Sequence, residues 1–158
     1  MLKISLRKIK ISDKKYFTKW WRDEELIKLT SGIVTMVSDK EVDRYFKEIL
    51  QNKTDHHCVI MADKNIIGHI SLTKRRSWFE IQIVIGEKKY WGKGYGTEAI
   101  RLSLKKAKKL NISKIYLEVR PNNSRAIHAY ENCGFKKVKT IFYSKNKDLS
   151  KVLRMEFK

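Results

Sequence analysis

The sequence predicts an α+β domain: a mixed, mostly antiparallel sheet with one parallel strand pair, flanked by about four helices. Three observations lead there. Strand-like runs follow one another directly from His57 to Gly86, joined by turn residues rather than helices. One helical stretch, Gly94 to Lys109, then separates two strands, which is the connection a parallel pair needs. The chain closes on two further strand runs around a polar turn.

Taken in order, Lys3 to Lys8 alternates, Ile4 and Leu6 against Ser5 and Arg7, as a strand does. Ser12 reads as an N-cap, with Asp13 in the first turn, for a helix carrying Tyr16, Phe17, Trp20 and Trp21. The two tryptophans are adjacent and cannot face one direction, so one is expected to pack inward and the other to line a cleft or seal the helix edge. Leu26 to Val37, with Thr30, Ser31 and Gly32, is expected to contain a loop. Ser38-Asp39-Lys40-Glu41 is a capping box, and Val42, Tyr45, Phe46 and Ile49 follow at helical spacing. His57 to Met61 and Ile66 to Leu72 make a hairpin across Asp63-Lys64-Asn65, and a third strand runs from about Trp78 to Gly86.

The helix from Gly94 to Lys109 turns Ala99, Ile100, Leu104 and Ala107 inward, with Asn111 as its C′ residue. Ile115, Leu117 and Val119 alternate with Tyr116 and Glu118 in the next strand, which Pro121 ends. Asn122, Asn123 and Ser124 offer caps for a short helix that Gly134 closes. Phe135 to Tyr143 and Ser150 to Phe157 pair across Lys145-Asn146-Lys147-Asp148.

The length suits a single domain, 1–158, with a real core, and 42% apolar residues place the chain among globular proteins. One proline and no Gly/Ser-rich linker give no sign of an internal boundary. No apolar run approaches the ~20 residues that span a bilayer, so no membrane partner is expected. The start, Met1 to Arg7, is too polar for the apolar segment of a secretory signal, and the default expectation is a cytoplasmic protein. Cys58 and Cys133 lie far apart without metal-ligand spacing and read as reduced thiols. His56, His57 and His69 lack a completing carboxylate or cysteine set, so no metal is expected.

The net charge is +19. It fits a polyanionic partner (nucleic acid, a site on or near the ribosome, a phosphorylated cofactor) and equally a solvated lysine surface, because the lysines are scattered rather than clustered. Such a charge repels a polycationic substrate at long range unless a local acidic pocket overrides it.

The stretch from Glu80 to Arg101 organises the rest. A strand, Glu80 to Gly86, leads into Gly92-Lys93-Gly94-Tyr95-Gly96-Thr97-Glu98-Ala99, and the last residues open a helix. Glycines at alternate positions bring backbone N–H groups together, and a helix N-terminus adds partial positive charge, so the turn suits a phosphate group. No Walker A pattern is present. A dinucleotide fingerprint fits poorly, because the glycines run G-x-G-x-G and stand five residues beyond the strand end.

The segment Gly92 to Ala99 resembles the acetyl-CoA pyrophosphate loop of the GNAT N-acetyltransferases. Asn123-Ser124-Arg125-Ala126-Ile127-His128-Ala129-Tyr130-Glu131-Asn132-Cys133-Gly134-Phe135 is similar to that family's downstream N-x-R-A-x-x-x-Y-E-x-x-G-F segment. The two occur in the family's order and separation, and the element order matches along nearly the whole chain. The likeness is greatest to the branch holding ribosomal-protein-alanine and spermidine N-acetyltransferases. The family loop usually begins with Gln or Arg; here that position is Trp91, as aromatic residues often are in this branch.

The resemblance implies transfer of acetyl from acetyl-CoA to a primary amine, either a protein N-terminus or a small molecule, by direct attack in a ternary complex. It assigns the amides of Gly92, Lys93, Gly94, Tyr95, Gly96 and Thr97 to the pyrophosphate, with Trp91 at the loop's start. Ile83, Val84 and Ile85 would pair with pantetheine where the parallel strands splay. Asn123 would bond the pantetheine arm, with helix capping as its other role. Lys93 and Arg125 would help neutralise phosphates. Tyr130 would protonate the departing thiolate, since a phenol of ordinary pKa near ~10 is protonated at pH 7. Glu80 would take the amine's proton; the plain alternative is a surface carboxylate paired with a lysine. Trp20, Trp21 and Trp78 are candidates to line a small-molecule pocket. The competing class is a non-catalytic basic module that holds acyl-CoA or RNA. Both a monomer and a homodimer fit the sequence.

Overall fold

The computed structural model describes residues 2–30, 36–145, 147 and 150–158. Among these, seven strands form one sheet in the order β1-β2-β3-β4-β5-β7-β6. The strands are β1 (Ile4–Lys8), β2 (His56–Ala62), β3 (Asn65–Arg75), β4 (Trp78–Ile85), β5 (Ile115–Val119), β6 (Phe135–Phe142) and β7 (Lys151–Phe157). All neighbours run antiparallel except β4 and β5, as the sequence predicts. The tight turns after β2 and β3 use left-handed residues, Asp63 (φ 52) and Arg76 (φ 56).

Five α-helices lie among the same residues: α1 (Lys14–Trp21), α2 (Glu24–Leu29), α3 (Asp39–Gln51), α4 (Tyr95–Lys109) and α5 (Ser124–Glu131). The expected capping box holds at α3, where the Glu41 N–H donates to Ser38 Oγ and the Ser38 N–H to Glu41 Oε2. Asn111 takes the expected left-handed conformation (φ 56). One local reading is corrected: Ser12 is not an N-cap, because Ile11–Asp13 forms a short 3-10 turn. The stretch expected to contain a loop begins inside α2, whose N-cap Asp23 accepts from the N–H groups of Glu25 and Leu26. The acidic run Asp23-Glu24-Glu25 was the missed start signal, since carboxylates suit a helix N-terminus. Ser31, Gly32, Asn146 and Asp148, which the sequence reading places in loops, lie outside the described residues.

Two apolar clusters sandwich the sheet. On one face Ile60, Ile70, Leu72 and Ile81 meet Ala99, Ile100 and Ala107 of α4. On the other, Phe17, Trp20, Leu26 and Phe46 of α1–α3 pack over Val59. Trp20 is the inward tryptophan and Trp21 faces the cleft described below. Trp20 fits because residue 86 is glycine: a Cβ there would lie 2.1 Å from the indole nitrogen. Trp78 instead stacks under Arg154 beside Tyr116, away from the cleft lining.

Asp13 is buried at 2% exposure and fastens α1 to β1. Its carboxylate takes both Arg7 terminal nitrogens, at 3.0 and 2.8 Å, and the Lys10 N–H at 2.7 Å. Burial acts to raise this carboxyl's pKa, but the Arg7 and Lys10 bonds outweigh it and leave the value below the usual range. The native carboxylate therefore contributes stability above the unfolded pKa of ~3.9. That contribution is lost as pH falls through the lower folded value. Asp13→Ala is expected to destabilise by about 3 kcal/mol, because Arg7 loses its partner in a half-buried place. Urea titrations at pH 7 and below pH 4 check this, with the difference between variant and wild type shrinking in acid.

Candidate active site

The site begins where two strands separate. β4 and β5 pair at Phe79–Ile115 and Glu80–Tyr116 and then part, while β5 stays paired through Val119 with β7 on its other edge. Strand alternation decides which backbone groups face the gap. The Phe79 N–H donates to Lys114 on the β5 side. Ile81, Ile83 and Ile85 share that side, while the Val84 carbonyl points at Gly68 of β3, where a Cβ would lie 2.2 Å from its oxygen. Of the three residues expected to meet pantetheine, the backbones of Ile83 and Ile85 face the gap. Val84 contributes its side chain to the opposite, helix-covered face.

The loop follows a 3-10 turn, Lys88–Tyr90. Gly92 (φ 69) and Gly94 (φ 85) adopt left-handed backbone that costs other residues strain. Gly94 is the N-cap of α4, and no side chain caps that end. A 15-residue helix thus presents uncapped N–H groups and its positive dipole end to the cleft. A Cβ at Gly92 would meet nothing within 4 Å, so backbone conformation rather than space requires glycine there. Tyr95, Gly96 and Thr97 line the same wall; Lys93 is exposed and lies outside the lining. Trp91 donates its indole N–H to the Ile85 carbonyl at 2.7 Å, and its ring lies under the Arg125 guanidinium at 4.1 Å.

α5 forms the facing wall. Asn123 caps it by accepting from the Ala126 N–H at 3.2 Å, which leaves the amide's own donors for the cleft it lines. Tyr130 is nearly buried between Phe135 and the cleft, and burial beside Cys133 pushes its phenol up to about 12. It therefore stays protonated far above neutral pH. The whole cleft measures about 2050 Å³ and runs from the glycine loop, through the β4–β5 gap, to the underside of α2 and α3.

Its far half is polar. Register places Thr73 beside Glu80 on one sheet face and His57 beside Ser71 and Gln82. Glu80 receives the Arg75 Nε–H at 3.1 Å and is 13% exposed, so its pairing partner is an arginine rather than a lysine. His57 Nδ1 lies 3.1 Å from His69 Nε2, and His57 Nε2 lies 3.8 Å from Asp55. Burial lowers both imidazoles, His69 to about 3, so His69 is neutral at pH 7. The Tyr143 hydroxyl donates its one proton to the Glu118 carboxylate, whose oxygens lie 2.8 and 3.0 Å away. Burial and that carboxylate push Tyr143 up to about 12. Among the described residues no group of three potential ligands could hold a metal ion.

Sequence reasoning singled out the loop-side half of the cleft and missed most of this far half. Asp55, His57, His69, Glu118 and Tyr143 come from four separate places in the chain. The available signal was alternation: Glu118 is the one half-exposed residue of β5, on the face opposite Ile115, Leu117 and Val119.

A mixed sheet opens at one parallel pair, and a glycine loop and uncapped helix end at the opening offer the backbone N–H groups that suit a phosphate group. The chain matches the model of the acetyltransferase (GNAT) domain over residues 3–136 and belongs to that family. It is 37% identical over 102 residues to a spermidine N(1)-acetyltransferase of Vibrio cholerae, a match covering 61% of this chain and 58% of that one. It is 41% identical over 58 residues to an N-alpha-acetyltransferase of Sulfurisphaera tokodaii, covering 35% of each. The chain thus spans little more than half the length of the first of these curated relatives. In fold it is similar to spermidine N-acetyltransferase from Vibrio cholerae in complex with CoA and spermine, with TM-score 0.84 and 24% identity over 98% of this chain and 94% of that one.

Proposed function

We propose that the chain is an acetyl-CoA-dependent N-acetyltransferase whose acceptor is a small polycationic amine. The observation that carries the acceptor class is the far half of the cleft. Glu48, Asp55, Glu80 and Glu118 line it in a chain with 17 acidic residues against 36 basic ones. Arg75, Arg120, Lys145 and Lys147 line the cleft too, with Arg75 tied to Glu80. The lining is mixed in charge, and its carboxylates are the local partners that a cationic acceptor would need against the long-range repulsion of the +19 surface. Family membership and the spermidine-acetylating relative support the same reading.

The donor supplies an activated acetyl thioester. In this assignment the amides of residues 92–97 and the α4 N-terminus hold its diphosphate. The Ile83 backbone and Asn123 hold the pantetheine arm in the β4–β5 gap. Glu80 takes one proton from the acceptor amine, freeing the nitrogen lone pair to form the new N–C bond. As the C–S bond breaks, Tyr130 donates its hydroxyl proton to the departing sulfur, and the proton shed by the newly acylated nitrogen restores the Tyr130 hydroxyl by way of solvent.

The test is an acetylation screen with acetyl-CoA against aliphatic polyamines, aminoglycosides, amino acids and N-terminal peptides. Polyamines are expected to give the highest kcat/KM, with sensitivity to Glu118→Gln. Preference for an N-terminal peptide would overturn the acceptor class. Binding of acetyl-CoA without transfer to any amine would favour the non-catalytic module instead.

A further inference from the structure

Trp91 stands where the family loop usually carries Gln or Arg, and its contacts point to a different role from theirs. The indole has one donor, and the Ile85 carbonyl takes it at 2.7 Å. That bond fixes the ring plane against the end of β4. The ring's face is covered by Arg125, with the guanidinium carbon 4.1 Å from the centroid. Arg125 comes from the first turn of α5, across the cleft from the loop. The stack therefore bridges the two walls beside the glycine loop.

Arg125 forms no ion pair with a described carboxylate. Stacking engages the face of a guanidinium and leaves its in-plane N–H donors free. An arginine held over a ring keeps a defined position, so less side-chain freedom is lost when an anion arrives. Lys93, the other cation that the sequence points to for this task, lies outside the lining. The nearest anion seat is the one formed by the loop amides and the α4 N-terminus.

We infer that Trp91 is a positioning residue: its ring holds Arg125 beside the seat of the cofactor's phosphates, making the Trp91–Arg125 pair one element, alongside the loop amides, that distinguishes CoA from phosphate-free pantetheine thiols. The inference rests on the proposal that the loop binds CoA. It assigns Trp91 no direct part in acetyl transfer and gives the loop a side-chain cation borrowed from α5.

Isothermal titration of the full chain with CoA and with pantetheine tests this without any acceptor amine. Arg125→Ala and Trp91→Ala are each expected to weaken CoA binding about 10-fold, the loss of one charge-assisted hydrogen bond, and to leave pantetheine binding unchanged. Trp91→Phe keeps an aromatic face and is expected within about 3-fold of wild type. The Trp91→Ala/Arg125→Ala double variant is expected to be no weaker than Arg125→Ala alone, since both remove one interaction. Additive losses in the double variant would overturn the inference. So would equal losses for CoA and pantetheine, which would mean a purely structural role for the ring. A wild-type chain that binds neither ligand would instead remove the CoA site itself.

Discussion

Tyr130→Phe is expected to lower turnover about 10-fold or more while acetyl-CoA affinity changes little. The substitution removes one oxygen and keeps the ring that packs against Phe135. Among the described residues no side chain or backbone group bonds the Tyr130 hydroxyl, so its loss leaves no protein partner unsatisfied. The thermal midpoint should therefore stay near that of wild type, which separates a proton-donating role from a packing one. Because burial pushes the phenol up to about 12, the acid form persists through any practical assay. The expected loss is thus a uniform drop across pH 6 to about 10, not a shift of either limb of the profile. Unchanged turnover would remove Tyr130 as the acid.

Glu80→Gln is expected to lower kcat/KM at pH 7 by about 100-fold and to move the ascending limb of the pH–rate profile upward. Glutamine keeps the shape and can still face Arg75, but it cannot take a proton. A free alkyl amine is mostly protonated at neutral pH, so without the carboxylate the reaction must wait for amine that has lost its proton to water. Raising the pH supplies that form and should recover much of the lost rate. The Arg75–Glu80 pair, with Arg75 half exposed, is expected to contribute little to stability, so folding remains intact. An unmoved limb would shift attention to the His57–His69 pair and Asp55 on the same wall.

Much of the fold was legible because local rules and tertiary packing agree in it. The antiparallel run β2–β3–β4 is written in turn residues at 63–65 and in alternation on either side. The α3 capping box and the left-handed Asn111 follow from side-chain chemistry within a few residues. The helix start at Asp23 was legible in principle, but the neighbouring loop-like residues obscured it. The split role of Ile83, Val84 and Ile85 was not legible. Which backbone groups face the gap depends on which side of β4 is already paired, and that is a property of the sheet.

The sequence by itself determined the glycine loop and helix start to which phosphate binding is assigned in the proposal. Together with one short downstream segment, these have a backbone geometry that follows from glycine and capping chemistry close in the chain. Only the tertiary structure brought together the carboxylates proposed to meet the acceptor. Glu48, Asp55, Glu80 and Glu118 lie on α3, on the segment after it, on β4 and on β5. Their convergence requires strands to align in register and two helices to cover one sheet face, and no local pattern encodes that. Trp91 belongs to both: its place in the loop is a fact of sequence, whereas its work depends on Arg125 reaching it from across the cleft.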